Sequence, residues 1–103
     1  MTKEEMTAKG FELVAYAGDA RADYLHAIKL AKEGKFKDAR AKVLEADQTL
    51  TKAHIAQTDL LTEEAKGNYS DLTLIMVHGQ DHLMTTLVIK ELVNTIIDLI
   101  ERK

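Results

Sequence analysis

The chain lacks cysteine and proline altogether, and only 5% of its 103 residues are aromatic. The absence of cysteine excludes a disulfide framework, a thiolate nucleophile and cysteine-ligated zinc. Any chemistry therefore falls to His, Asp, Glu, Ser, Thr or Lys side chains. With no proline and only 5 glycines, the sequence is poorly suited to many short strands joined by tight turns. Together with 46% hydrophobic residues, this composition favours long helices rich in small and aliphatic side chains.

A charge excess of one sign and long hydrophobic runs are also missing. The 14 Lys and Arg against 17 Asp and Glu give a net charge of −3, without the basic excess typical of proteins that bind nucleic acid. The most apolar segment, from Leu72 onward, is interrupted by histidine or charged residues and falls short of the roughly 18 apolar residues of a membrane span. The segment Met1–Met6 lacks the apolar core of a signal peptide. We expect a cytoplasmic protein with one domain over residues 1–103.

Two glycine-containing segments divide the sequence into three long helical patterns. Gly34 follows a periodic segment that ends in charged residues, and Gly67 with Asn68 follows the next one, as helix-ending residues do. Ser70 is expected to cap the third helix. We predict helices near 3–33, 36–66 and 71–102 that pack as an antiparallel, up-down-up three-helix bundle of the all-α class.

Helical periodicity predicts which faces pack together. The first helix has a stripe of mostly small residues, Gly10, Leu13, Ala17, Ala20, Tyr24, Ala27 and Ala31, beside a stripe of Phe11, Val14, Gly18, Arg21, Leu25 and Ile28. The third helix has two apolar stripes. The first contains Ile75, Gly79, His82, Thr86, Ile89, Val93, Ile96 and Ile100; the second contains Leu74, Val77, Asp81, Met84, Val88, Leu92, Thr95 and Leu99. Two apolar faces need two partners, so the second stripe predicts self-association. One unusually wide core face is the alternative.

His78, Asp81 and His82 fall within five positions of the third helix. Positions i, i+3 and i+4 share a helix face, so these side chains are expected to lie close together. A neutral imidazole is a competent nucleophile near pH 7, which makes His78 the candidate for chemistry. A hydrogen-bonded core role stays open for His82 and His54. The pattern His-x-x-Asp-His is also close to that of inverted zinc metallopeptidases, so a metal-dependent hydrolase is an alternative, although a chain this short leaves little room for a substrate cleft.

Asp81 lies in the middle of the stripe that predicts self-association. Copies of Asp81 near a rotation axis would repel one another unless they were protonated or bridged by a cation. A shared hard cation such as Mg²⁺ resolves this repulsion because it prefers oxygen ligands. An Asp81 at the edge of the stripe, solvated or singly hydrogen-bonded, is the alternative. Beside it, Gly79 indicates that a ligand or another helix approaches the backbone closely.

Three segments of the chain resemble one known family. The run Val77–Thr86, with the sequence Val-His-Gly-Gln-Asp-His-Leu-Met-Thr-Thr, closely resembles the phosphorylation site of the lactose/cellobiose-specific enzyme IIA components of the bacterial phosphoenolpyruvate-dependent sugar phosphotransferase system. The segment Gly10–Arg21 is similar to the first helix of that family, and residues 53–58 are similar to its second helix. The resemblance spans essentially the whole chain.

This resemblance implies a phosphoryl carrier that assembles as a homotrimer of three-helix bundles. It implies that His78 accepts a phosphoryl group from the phosphohistidine of HPr, the histidine-containing carrier, and passes it to a cysteine of the cognate IIB component. It also implies that Asp81 from every subunit binds one Mg²⁺ on the trimer axis, and that Gln80 and His82 support the active imidazole. A helical adaptor is the further alternative. Gly79 and the N-terminal segment favour the lactose-type branch, although these residues do not specify the sugar.

Overall fold

The computed structural model describes residues 1–68 and 72–103. Three helices, α1 (Lys3–Lys32), α2 (Phe36–Ala65) and α3 (Leu74–Glu101), make up its regular structure. The described residues contain no strand, which confirms the predicted all-α class. Helix α3 begins three residues later than predicted, because the Thr73 side chain accepts a hydrogen bond from the backbone N–H of Met76 and caps the helix there. The predicted cap at Ser70 lies outside the described residues.

Both predicted helix-ending glycines adopt the left-handed backbone conformation, with φ of +80° at Gly34 and +78° at Gly67. After α1, the N–H of Gly34 donates to the carbonyl of Ala31, and the N–H of Lys35 donates to the carbonyl of Leu30. The end of α2 follows the same pattern. This Schellman arrangement needs a positive φ, which glycine adopts without strain because it has no Cβ atom. The predicted ends of α1 and α2 are confirmed to within one residue.

Contacts between the helices establish their directions. Lys9, near the start of α1, forms an ion pair at 3.1 Å with Asp59, near the end of α2. Gly10 of α1 lies against Met76 at the start of α3. Helix α2 therefore runs antiparallel to α1 and α3, as predicted for an up-down-up bundle. The bundle measures 52 × 19 × 18 Å.

Helix α1 packs extensively against both other helices, whereas α2 and α3 contact each other much less. Its buried residues are Met6 and the predicted small-residue stripe of Gly10, Leu13, Ala17, Ala20, Tyr24, Ala27 and Ala31. Small side chains allow α2 and α3 to approach α1 closely. The exception in size is Tyr24, whose hydroxyl donates a hydrogen bond to Asp47 of α2. Burial, and then this hydrogen bond, raise the pKa of the Tyr24 phenol.

The buried face of α3 differs in part from the predicted one. Its buried residues are Met76, Gly79, Leu83, Thr86, Val93 and Ile97. Five members of the predicted core stripe are only partly buried, namely Ile75, His82, Ile89, Ile96 and Ile100. The close approach of α1 at Gly79 explains the difference, because it centres the buried face on Met76 and Leu83, one turn before and one turn after that glycine.

The second apolar stripe of α3 is exposed in the single chain. Its large hydrophobic side chains, Leu74, Val77, Met84, Val88, Leu92 and Leu99, are 45% to 84% exposed, and Asp81 and Thr95 are exposed with them. Helix α3 therefore has two apolar faces, and the alternative of one wide core face is wrong. Within the described part of the chain, no helix combines the length and the hydropathy needed to cross a lipid bilayer.

Gly79 is required by the packing of α3 on α1. A Cβ atom at this position would lie 2.7 Å from the Cβ of Leu13 and 2.9 Å from the carbonyl oxygen of Gly10. Both distances are shorter than ordinary van der Waals contacts. Of the two explanations offered by the sequence, close helix packing accounts for this glycine.

Gly79→Ala should therefore destabilise the bundle, whereas Gly18→Ala should stabilise it. The methyl group at residue 79 would displace Leu13 and the α1 backbone at a cost of about 1–3 kcal/mol. A Cβ at Gly18 meets nothing within 4 Å, so alanine there should gain about 1 kcal/mol by removing a glycine from a helix interior. Urea unfolding followed by circular dichroism measures both changes, and effects of the same sign would contradict this explanation.

Candidate functional site

His78 and His82 form an imidazole pair on α3. They are separated by four positions, so they lie on consecutive turns of the same face. Their Nε2 atoms are 3.2 Å apart, and the ring planes meet at 80° with centroids 4.6 Å apart. When both rings are neutral, the Nε2–H of one donates a hydrogen bond to the lone pair of the other. The predicted proximity of these two histidines is confirmed, while His54 lies exposed on α2.

The surroundings of the two rings favour a neutral His82. Burial lowers the pKa of His82 below its ordinary value of 6.5, and the charges of Arg21 and His78 act in the same direction, against a smaller opposing effect of Asp81. The Nδ1 atom of His82 is buried and has no hydrogen-bond partner among the described residues. The hydrogen bonding of the His82 ring is therefore directed through Nε2 toward His78, whose own side chain is exposed.

Arg21 reaches this site from α1. Its guanidinium donates a hydrogen bond to Oγ1 of Thr85, and the Thr85 hydroxyl donates to the backbone carbonyl of Asp81 at 2.7 Å. In the sequence, Arg21 belongs to a stripe of mostly apolar and small residues and is not among the predicted site residues. A single charge within such a stripe is the feature that points to it.

Gln80 is held by α2 rather than by the imidazole pair. Its Oε1 accepts a hydrogen bond from Nε2 of Gln57 at 2.9 Å. Residues two positions apart point to different sides of a helix, which accounts for the separation of Gln80 from the rings of His78 and His82. Gln57 is not among the predicted site residues, because spacing along one helix does not reveal a contact between two helices.

Asp81 is exposed among the apolar side chains of the second stripe. Within the described residues, no hydrogen bond or ion pair joins its carboxylate to His78 or His82. The same residues contain no group of three His, Cys, Asp or Glu side chains that could hold a metal ion. Within the described residues, the His-x-x-Asp-His pattern therefore does not form the metal site that the hydrolase alternative requires.

Comparison with known proteins establishes the family. The family model for the lactose/cellobiose-specific IIA subunit of the phosphotransferase system matches residues 8–101. The chain belongs to this family. The lactose-specific EIIA component of Lactococcus lactis subsp. lactis is 47% identical over 102 residues, which cover 99% of this chain and 97% of that relative. These findings confirm the resemblance found in the sequence.

Solved structures of IIA proteins share the fold. PtcA from S. mutans superposes with a TM-score of 0.92 at 40% identity, over 98% of this chain and 99% of that one. The IIA(Chitobiose) protein of Escherichia coli, solved in complex with HPr, gives a TM-score of 0.78 at 33% identity, over 99% and 96% of the two chains. This IIA protein is therefore a phosphotransfer component of a sugar phosphotransferase system with the helical fold of its relatives.

The lowered pKa of His82 predicts a loss of stability in acid. The unfolded chain binds a proton at His82 near pH 6.5 and the folded chain only at lower pH. The free energy of unfolding should therefore fall as the pH decreases through 6.5 and level off below the folded-state pKa. Urea unfolding between about pH 5 and pH 8 covers this range. His82→Gln should reduce the pH dependence of the free energy of unfolding, and His26→Gln, at an exposed position, is the matched control. An unaltered pH dependence in His82→Gln would contradict the described surroundings of the His82 ring.

Proposed function

We propose that this IIA protein is a cytoplasmic phosphoryl carrier that works in the uptake of lactose or a related disaccharide. His78 accepts a phosphoryl group from phospho-HPr and passes it to a cysteine of the cognate IIB component. The observation that carries the proposal is an exposed His78 imidazole beside a neutral His82, in a chain of the IIA family. The HPr complex of the chitobiose relative supports the donor, and 47% identity to a lactose-specific relative supports the sugar class.

An exposed nitrogen nucleophile suffices for this reaction. Phosphoryl transfer needs in-line positioning and charge stabilisation, with little covalent chemistry from the protein. We assign the attacking lone pair to Nε2 of His78, which faces Nε2 of His82 at 3.2 Å. With its proton on Nε2, His82 donates to that lone pair before transfer and to a phosphoryl oxygen afterwards. Gln80, which Gln57 holds on another side of α3, supports the site only indirectly and donates to neither ring.

The alternatives explain less of the structure. A helical adaptor accounts for the exposed stripe of α3 but gives no reason for the contact between His78 and His82. A metal-dependent hydrolase needs a ligand set that the described residues do not bring together. A phosphoryl carrier accounts for the exposed imidazole, its neutral neighbour and the family membership together.

His78→Ala should abolish phosphate acceptance and leave the bundle folded, because the exposed ring contributes little to packing. After incubation with phosphoenolpyruvate, enzyme I and HPr, intact mass should show one acid-labile phosphate per chain on the wild type and none on the variant. His54→Ala, which removes an exposed histidine from α2, is the matched control and should accept phosphate normally. Phosphate retained by His78→Ala would exclude the assignment.

We also propose a homotrimer in which the second stripe of α3 faces partner chains around a threefold axis. An apolar surface of this length is unfavourable in water and is typical of a protein interface. Asp81 lies at its middle, so the rotation brings one carboxylate from each chain near the axis. One Mg²⁺ per trimer would bind these oxygens and offset their repulsion. The exposure of Asp81, without a partner for its carboxylate among the described residues of its own chain, fits this arrangement.

Asp81→Leu should preserve or strengthen the trimer, since apolar side chains would replace carboxylates that repel one another. Sedimentation velocity measures the assembly, and metal analysis should find one divalent ion per trimer in the wild type and none in the variant. Leu92→Asp, about three turns away on the same stripe, should weaken the trimer. A monomeric Asp81→Leu protein would contradict the axial position of this residue.

A further inference from the structure

Arg21 lacks the carboxylate partner that another arginine of the bundle has. The guanidinium of Arg40 contacts Asp98 at 2.9 Å and Glu101 at 2.8 Å. Among the described residues, no carboxylate forms an ion pair with Arg21, and the Nε atom of Arg21 is buried without a hydrogen-bond partner. Partly buried arginines usually pair with an anion, because the guanidinium matches carboxylate and phosphate groups in charge and shape. Within this part of the chain, the charge of Arg21 is uncompensated.

Thr85 fixes the position of this charge beside the imidazole pair. Its hydroxyl accepts the hydrogen bond from Arg21 and donates to the carbonyl of Asp81 at 2.7 Å. Thr85 lies one turn after His82 on α3, and the charge of Arg21 acts on the His82 ring. The His82 ring in turn contacts Nε2 of His78 at 3.2 Å.

A phosphoryl group on His78 would bring excess negative charge to this surface. It carries about two negative charges. The guanidinium of Arg21, bonded to Thr85 one turn after His82, is a positive charge held at this part of α3.

We propose that Arg21 is a charge-compensating residue of phosphoryl transfer, in which its guanidinium, anchored on Thr85, balances the negative charge that arrives on His78. This inference rests on the proposed function. The lone pair of His78 forms the new N–P bond while the N–P bond of phospho-HPr breaks, and the electron pair of that broken bond stays on the donor histidine. The phosphoryl charge moves with the phosphorus. A fixed positive charge near the acceptor therefore stabilises both the transition state and the phosphorylated protein.

The equilibrium constant for phosphoryl exchange between HPr and this protein tests the inference, because a purely structural role would not alter it. Arg21→Gln removes the charge, Arg21→Lys keeps it, and Thr85→Val keeps Arg21 but removes its anchor. Arg102→Gln is the matched control, since it removes the same charge from the exposed end of the chain. Intact mass measures the two phosphorylated proteins at equilibrium, quenched flow measures the transfer rate, and circular dichroism with sedimentation verifies fold and assembly.

We expect Arg21→Gln to shift the equilibrium toward phospho-HPr by about tenfold and to slow transfer to this protein at least as much. Arg21→Lys should recover most of the shift, Thr85→Val should be intermediate, and Arg102→Gln should match the wild type. An equilibrium constant for Arg21→Gln within about twofold of the Arg102→Gln value would overturn the inference. An Arg21→Lys protein whose equilibrium constant is shifted as far as expected for Arg21→Gln would also overturn it, because lysine keeps the positive charge. This second comparison decides the question if Arg21→Gln fails to fold.

Failure of the proposed function would be distinct. In that case the wild-type protein itself would take no phosphate on His78. If only the inference fails, the wild type is phosphorylated on His78 and the Arg21 variants have the same equilibrium constant for phosphoryl exchange as the wild type.

Discussion

At Gly79 the backbone of α3 lies so close to α1 that a Cβ atom would meet the Leu13 side chain at 2.7 Å. This contact sets the rotation of α3 about its own axis. Met76 and Leu83, one turn to either side, are buried against the bundle, and the opposite face is turned to solvent. His78 precedes Gly79 directly, so the rotation that buries the glycine also exposes the imidazole. The position of the proposed nucleophile thus follows from the packing of two helix backbones.

The same rotation gives α3 two different outer surfaces. At the edge beside the buried face, the His78 and His82 rings meet, and Arg21 of α1 bonds to Thr85 on the following turn. Further around the helix, the exposed apolar stripe carries Asp81 at its middle. One helix therefore serves packing and, in our proposal, chemistry and assembly. A chain of 103 residues has room for these three roles because each occupies a separate face.

The sequence predicted features that depend on local regularity. Gly34 and Gly67 end helices because a positive φ is a property of single residues, and His78 contacts His82 because four positions make one helical turn. The buried face of α3 was predicted only in part, since contact with α1 shifts it to Met76, Leu83 and Ile97, which lie outside both predicted stripes.

Contacts between distant segments could not be predicted from spacing. Arg21 and Thr85 are 64 positions apart in the sequence, and Gln57 and Gln80 are 23 positions apart. Their contacts depend on how the three helices pack. A charge within a mostly apolar stripe singles out Arg21 in the sequence, but only the bundle places it beside His82.

The position of the phosphorus atom tests the central claim most directly. In protein labelled with ¹⁵N at its 4 histidines and phosphorylated by phosphoenolpyruvate, enzyme I and HPr, a one-bond ³¹P–¹⁵N coupling identifies the bonded nitrogen. The account predicts that phosphorus is bonded to Nε2 of His78. Phosphorus bonded to His26, His54 or His82, or no bonded phosphorus at all, would contradict it.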